Sequence, residues 1–155
     1  MANLDHEIHH PIRVAIADDH AVFLEGIATL LSLEDDMKIV ATATNGLEAI
    51  EAFDAVRPDV LLLDLRMPGL DGLSALRELS RRDSPTKIII LTASEDQIEY
   101  VQAISDGAAG VMLKGSAVDM LPHCIRSVCK GEMWLDNEAL PLPADMEEMS
   151  PIVAT

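Results

Sequence analysis

Three acids, a threonine and a lysine each close or directly follow a short apolar run. Asp18 and Asp19 follow IRVAIA, Asp64 ends DVLLLD, Thr92 falls in KIIILTA, and Lys114 ends AGVMLK. Taken singly, each has an ordinary reading. Asp-Asp after a strand can be a helix cap and its neighbour. Asp64 with the following MPGLDG can be turn chemistry, Thr92 a cap or strand residue, and Lys114 a solvated charge. Their conjunction is a chemical set. Three gathered carboxylates repel one another, which raises their pKa values unless a cation offsets the charge. Mg²⁺ suits such a cage, with Asp19 and Asp64 as direct oxygen ligands and Asp18 acting through water. A hydroxyl and an ammonium add little to a bare cation but are what phosphate oxygens require. The set therefore points to phosphoryl transfer, with Asp64 as nucleophile and Mg²⁺ and Lys114 neutralising charge on the moving group.

Such chemistry needs four segments delivered to one edge. From Ile12 the chain alternates β-branched apolar runs with amphipathic stretches, the pattern of strands and crossover helices in a parallel sheet. The pattern predicts an α/β fold: a doubly wound five-stranded parallel sheet with five helices. Polar groups in such a sheet collect at the carboxyl ends of the strands, near the point where strand order reverses. Helices are expected to end at about 34 and to cover 45–56, 71–82 and 95–105. In the last helix Leu121, Cys124, Ile125 and Val128 follow i, i+3, i+4, i+7 spacing, one apolar stripe. An interior proline would break it, so a start near Met120 is expected, with Asp119 as N-cap, Pro122 in the first turn and an end near Lys130.

The length of 155 residues with 49% hydrophobic content suits one domain, expected over 11–135 between an N-terminal tail, 1–10, and an acidic, proline-containing tail or linker, 136–155. A net charge of -16 weighs against nucleic-acid and anionic-membrane binding by these residues. No apolar run approaches the roughly 20 residues that span a bilayer, and the polar start MANLDHEIHH is unlike a secretory signal, so a cytoplasmic location is expected. Cys124 and Cys129 form no metal-binding pattern and are read as reduced packing residues. His6, His9 and His10 are read as a solvated tail. His20 could line the rim of the pocket or pack on the first helix, and is left out of the site.

IADDH at 16–20, LLLDLRMPGLDG at 61–72, IILTAS at 89–94 and DGAAGVMLKG at 106–115 together resemble the receiver domain of two-component response regulators, over about 13–135. DDHAVFLEGIATLL and LPHCIRSVCKGEMWL are similar to the NarL/LuxR-type subgroup. The resemblance implies a flavodoxin-like (CheY-like) sheet of order 2-1-3-4-5 and phosphotransfer from a sensor histidine kinase to Asp64. It implies Mg²⁺ at Asp18, Asp19, Asp64 and the backbone carbonyl of Arg66. Thr92 would bind and sense the phosphoryl group and Lys114 would pair with it, in a domain that supports its own phosphotransfer and dephosphorylation without being an enzyme in the usual sense. Arg66 and Ser94 occupy positions where the family tunes phosphoryl lifetime.

The sequence departs from the family at Val111, where members usually carry Tyr or Phe three residues before the lysine; backbone shifts in the loops after strands four and five are the expected substitute. The subgroup usually continues into a DNA-binding helix-turn-helix. Met149-Ser150-Pro151 only faintly echoes its start, so the expectation is either the receiver part of a transcriptional regulator or a stand-alone receiver acting by protein–protein contact. A homodimer through the receiver helices stays open. A Mg²⁺-dependent aspartyl-nucleophile phosphatase is disfavoured, because such enzymes usually carry a second acid where Arg66 sits.

Overall fold

In the computed structural model, residues 10–94 and 96–135 are described. Six parallel strands stand in the order β2-β1-β3-β4-β5-β6: β1 Ile12–Ala17, β2 Met37–Ala43, β3 Val60–Asp64, β4 Lys87–Thr92, β5 Gly110–Leu113 and β6 Trp134–Leu135. The five helices are α1 Ala21–Ser32, α2 Gly46–Val56, α3 Gly72–Ser80, α4 Gln97–Ser105 and α5 Lys114–Cys129.

Successive side chains of a strand point to opposite faces, so a sheet covered on both sides needs apolar residues at every position. Val14, Ile16, Leu62, Ile89, Leu91 and Met112 pack with Ile27 and Leu31 of α1 and the α5 stripe. Their neighbours Ala15, Ala17, Leu61, Leu63, Ile90 and Val111 pack on the other face with Phe53 of α2, Leu76 and Leu79 of α3 and Tyr100 of α4. β3 is buried throughout, including its terminal Asp64. Each fully buried leucine contributes about 1.5–3 kcal/mol relative to exposure, which leaves Asp64 as the residue that runs against the strand's own hydrophobic logic.

Helix starts fix the loops that surround this edge. The Asn45 side chain accepts from Glu48 N at 2.8 Å, Asp71 from Ser74 N at 2.9 Å and Asp96 from Ile98 N at 2.9 Å, each filling one orphan donor of a first turn. Gly72 permits the β3–α3 connection: a Cβ there would collide with the carbonyl oxygen of Asp64 and the Cα of Leu65. The chain passes from β2 on one side of β1 to β3 on the other, so the loops after β1 and β3 diverge and leave a crevice between them.

The expected order and the five helices are present, with differences. The short β6 adds a sixth strand beside β5. α4 begins at Gln97, after its Asp96 cap, rather than at 95. α5 begins at Lys114, well before Met120, and Pro122 lies inside it. Ala117, fully buried, extends the Leu121–Cys124–Ile125–Val128 stripe one turn back, and the burial of that longer stripe outweighs the missing proline hydrogen bond. Neither cysteine is in a disulfide, but only Cys124 is a packing residue; Cys129 is exposed. The expected tails lie outside the described residues except for His10, and with them His6 and His9. Among the described residues no helix is long and apolar enough to cross a membrane.

Candidate functional site

β1 runs one hydrogen bond beyond its last residue, because Asp18 N donates to the Ala43 carbonyl at 3.0 Å. That bond holds Asp18, 1% exposed, level with Asp64, 2% exposed, across the crevice. Asp19 follows in the loop with its side chain open to solvent. Lys114, expected at the end of β5, is instead the first residue of α5 and reaches back over the crevice. Its Nζ lies 2.7 Å from Asp18 Oδ2 and 3.0 Å from Asp64 Oδ2, while its charge also sits 4.6 Å from the centre of the Phe23 ring. The other oxygen of Asp64 accepts from Arg66 N at 3.1 Å.

Two buried carboxylates therefore share one ammonium. Burial pushes the Asp64 carboxyl above its usual range, more than the Arg66 amide and the Lys114 charge pull it down, and the Asp18 charge adds to the rise. Burial by itself would lower Lys114; its bonds and charge contacts with Asp18 and Asp64 outweigh that and raise it, so the lysine is firmly charged. Excess negative charge in a desolvated crevice is the condition that a cation relieves.

The acids fit that demand. Ligand atoms of Asp18, Asp19, His20 and Asp64 all lie within 4.8 Å of one another, a cluster that could hold a metal ion. The donor set is mainly hard carboxylate oxygen. His20, left out of the site on the sequence alone, belongs to it: its Nδ1 is 3.2 Å from Asp18 Oδ1, 3.4 Å from Asp19 Oδ1 and 3.3 Å from Lys114 Nζ. The only sequence signal was adjacency to the acid pair, and what brings the ring inward is the turn in which His20 N donates to Asp18 Oδ1 at 2.8 Å.

Asp18, Asp19, Asp64 and Lys114 are thus brought together as expected. Thr92 ends β4 one residue beyond Leu91, the ladder partner of Asp64, and is fully buried; its Oγ1 accepts from Ser94 N at 3.0 Å. Arg66 borders the site by its backbone, while its guanidinium extends to Glu99 of α4, 2.8 Å from Oε2. Glu99 was not foreseen, since nothing in the sequence marks a pair 33 residues apart. Chemically the arrangement offers an oriented carboxylate, a fixed ammonium, a buried hydroxyl and an acid cage at one sheet edge.

The model of the response regulator receiver domain family matches residues 14–126. The chain is 41% identical over 126 residues to the oxygen regulatory protein NreC of Staphylococcus epidermidis and 40% identical to that of Staphylococcus aureus, in both cases across 81% of this chain and 58% of the relative. It spans less than two thirds of the length of these relatives. Among solved structures, a signal receiver domain named NarL from Mycobacterium tuberculosis superposes with a TM-score of 0.76 at 35% identity, covering 79% of this chain and 99% of that one. The isolated receiver domain of RcsB from Salmonella enterica serovar Typhimurium, solved with the phosphomimetic BeF3⁻, gives 0.77 at 26% identity, covering 84% and 96%.

Proposed function

Because the chain belongs to the response regulator receiver domain family, we propose that it is a phosphorylation-controlled switch whose phosphoryl acceptor is Asp64, charged by a sensor histidine kinase. The observation that carries the assignment is the setting of Asp64: a buried strand-end carboxylate held by Lys114 Nζ at 3.0 Å and Arg66 N at 3.1 Å, with Asp18 and Asp19 beside it. Its oxygens point into the crevice without a conformational search, which removes much of the entropic part of the barrier.

In the transfer, an Asp64 oxygen attacks the phosphorus of a phosphohistidine. The new bond is an acyl phosphate O–P bond; the P–N bond breaks, and the departing imidazole keeps its electron pair. Lys114 pairs with the arriving negative charge, and the Thr92 hydroxyl, still accepting from Ser94 N at Oγ1, donates its proton to a phosphoryl oxygen. Asp18, Asp19, Asp64 and the carbonyl of Arg66 would hold Mg²⁺, which supplies charge neutralisation for the transferring group. The cluster of hard oxygen donors supports that choice of ion. Hydrolysis of the acyl phosphate by water resets the switch.

The wider reading follows the relatives. A receiver unit over 11–135, flanked by tails at 1–10 and 136–155, acts in the cytoplasm as the input part of a transcriptional regulator; a second copy docking through the receiver helices is its simplest output. The test is incubation with Mg²⁺ and acetyl phosphate followed by intact mass. One added phosphoryl group, absent without Mg²⁺ and absent in Asp64→Asn, is expected; an adduct of equal yield in Asp64→Asn refutes the assignment.

A further inference from the structure

Arg66 and Glu99 form an ion pair that borders the site without entering it. They line, with Asp19 and Asp71, a cavity of about 410 Å³ that opens beside the acid cage. Arg66 belongs to the loop that follows β3, Glu99 to the first turn of α4, so the pair ties the loop carrying the acceptor to the helix that follows Thr92. The partners are unequal. Glu99 is the anchored one, 23% exposed, with its second oxygen Oε1 buried and lacking a hydrogen-bond partner among the described residues; Arg66 is 64% exposed. Exposed ion pairs are weak, whereas an arginine forms strong, often bidentate bonds to a phosphoryl group. The backbone of Arg66 already touches Asp64, which places the start of its side chain beside the position that a phosphoryl group on Asp64 would take.

We propose that Glu99 is a positioning residue for the phosphoryl group on Asp64: by holding Arg66 toward α4, it keeps the guanidinium from closing over the acyl phosphate and so leaves a path for water. This rests on the reading of Asp64 as the acceptor. In the hydrolysis that is controlled, a water oxygen attacks phosphorus and the acyl O–P bond breaks. The electron pair returns to the Asp64 carboxylate, and inorganic phosphate leaves as the water proton passes to solvent. An arginine released from Glu99 sits on the phosphoryl oxygens and obstructs the approach of that water.

The experiment follows decay of the adduct by intact mass after rapid removal of acetyl phosphate, in the full chain, in Glu99→Gln, in Arg66→Ala and in the double variant. Glu99→Gln is expected to lengthen the half-life by about two- to fivefold, the range an exposed ion pair can supply. Arg66→Ala shortens it, and the double variant decays like Arg66→Ala, because Glu99 acts only through the arginine. A merely structural role for Glu99 would shift the melting temperature and leave the half-life alone. Unchanged decay in Glu99→Gln, or the same lengthening in the Arg66→Ala background, overturns the proposal while the acceptor reading stands. Absence of any adduct on the unaltered chain overturns both.

Discussion

Asp64 has two donors of different kinds, a backbone amide and a charged lysine, and still carries a raised pKa because burial dominates. A carboxyl raised in the folded state favours folding below its unfolded pKa, and that contribution is lost as pH rises through the folded value; at neutral pH the ionised group opposes folding. Asp64→Asn should therefore raise the melting temperature at pH 7 in EDTA, as calorimetry can record, whereas a lower value would mean that Lys114 outweighs burial. Lys114 runs the other way. Raised above 10.5, it favours folding at all lower pH and loses that contribution as pH climbs through its folded value. Lys114→Met leaves two buried carboxylates without their cation, at a cost of about 3 kcal/mol in urea unfolding at pH 7, and should flatten the alkaline loss of stability. Asp18, Asp19, Asp64 and Lys114 were legible in the sequence because strand ends can be counted. His20 and Glu99 were not, because a ring set over the acids by one Asx-type bond and a pair between a loop and a helix leave no periodic trace.

α5 shows where reading by element stops. Its stripe was visible, but proline chemistry placed the start near Met120, and the structure places it at Lys114. Pro122 lies on the partly exposed side next to Val118, 66% exposed, where water can reach the carbonyl that proline leaves unpaired. Pro122→Ala restores that bond and should stabilise the chain by about 1–3 kcal/mol in chemical denaturation; with the late start it would be neutral. The aromatic missing at Val111 has a counterpart on α4. Tyr100, fully buried in the same core as Val111, donates its hydroxyl to the Ser94 carbonyl, and Ser94 N in turn donates to Thr92 Oγ1. Any movement of Thr92 toward a phosphoryl group thus pulls on a residue tied to α4. Tyr100→Phe should leave adduct formation intact but shrink the change in amide exchange along α4 that phosphorylation produces; an unaltered exchange change would show that the tie transmits nothing.

Among the described residues, two apolar layers leave the buried acids, Asp18 and Asp64, one place to gather, the crevice at the carboxyl ends of β1 and β3. The site's location could be anticipated from apolar strand runs that end in polar residues, whereas the strand order was implied by the family motifs, and the two-residue β6 was too short to carry any period. Three acids converge in that crevice, and one ammonium answers the two that are buried, Asp18 and Asp64. In the proposed function this crevice makes Asp64 the phosphoryl acceptor. Borohydride reduction of the chain after treatment with Mg²⁺ and acetyl phosphate converts an aspartyl phosphate to homoserine, and tandem mass spectrometry of the peptide containing LLLDLRMPGLDG locates it. Homoserine at position 64, and at no other acid, is the predicted result; homoserine at Asp18, Asp19 or elsewhere, with Asp64 intact, would contradict it.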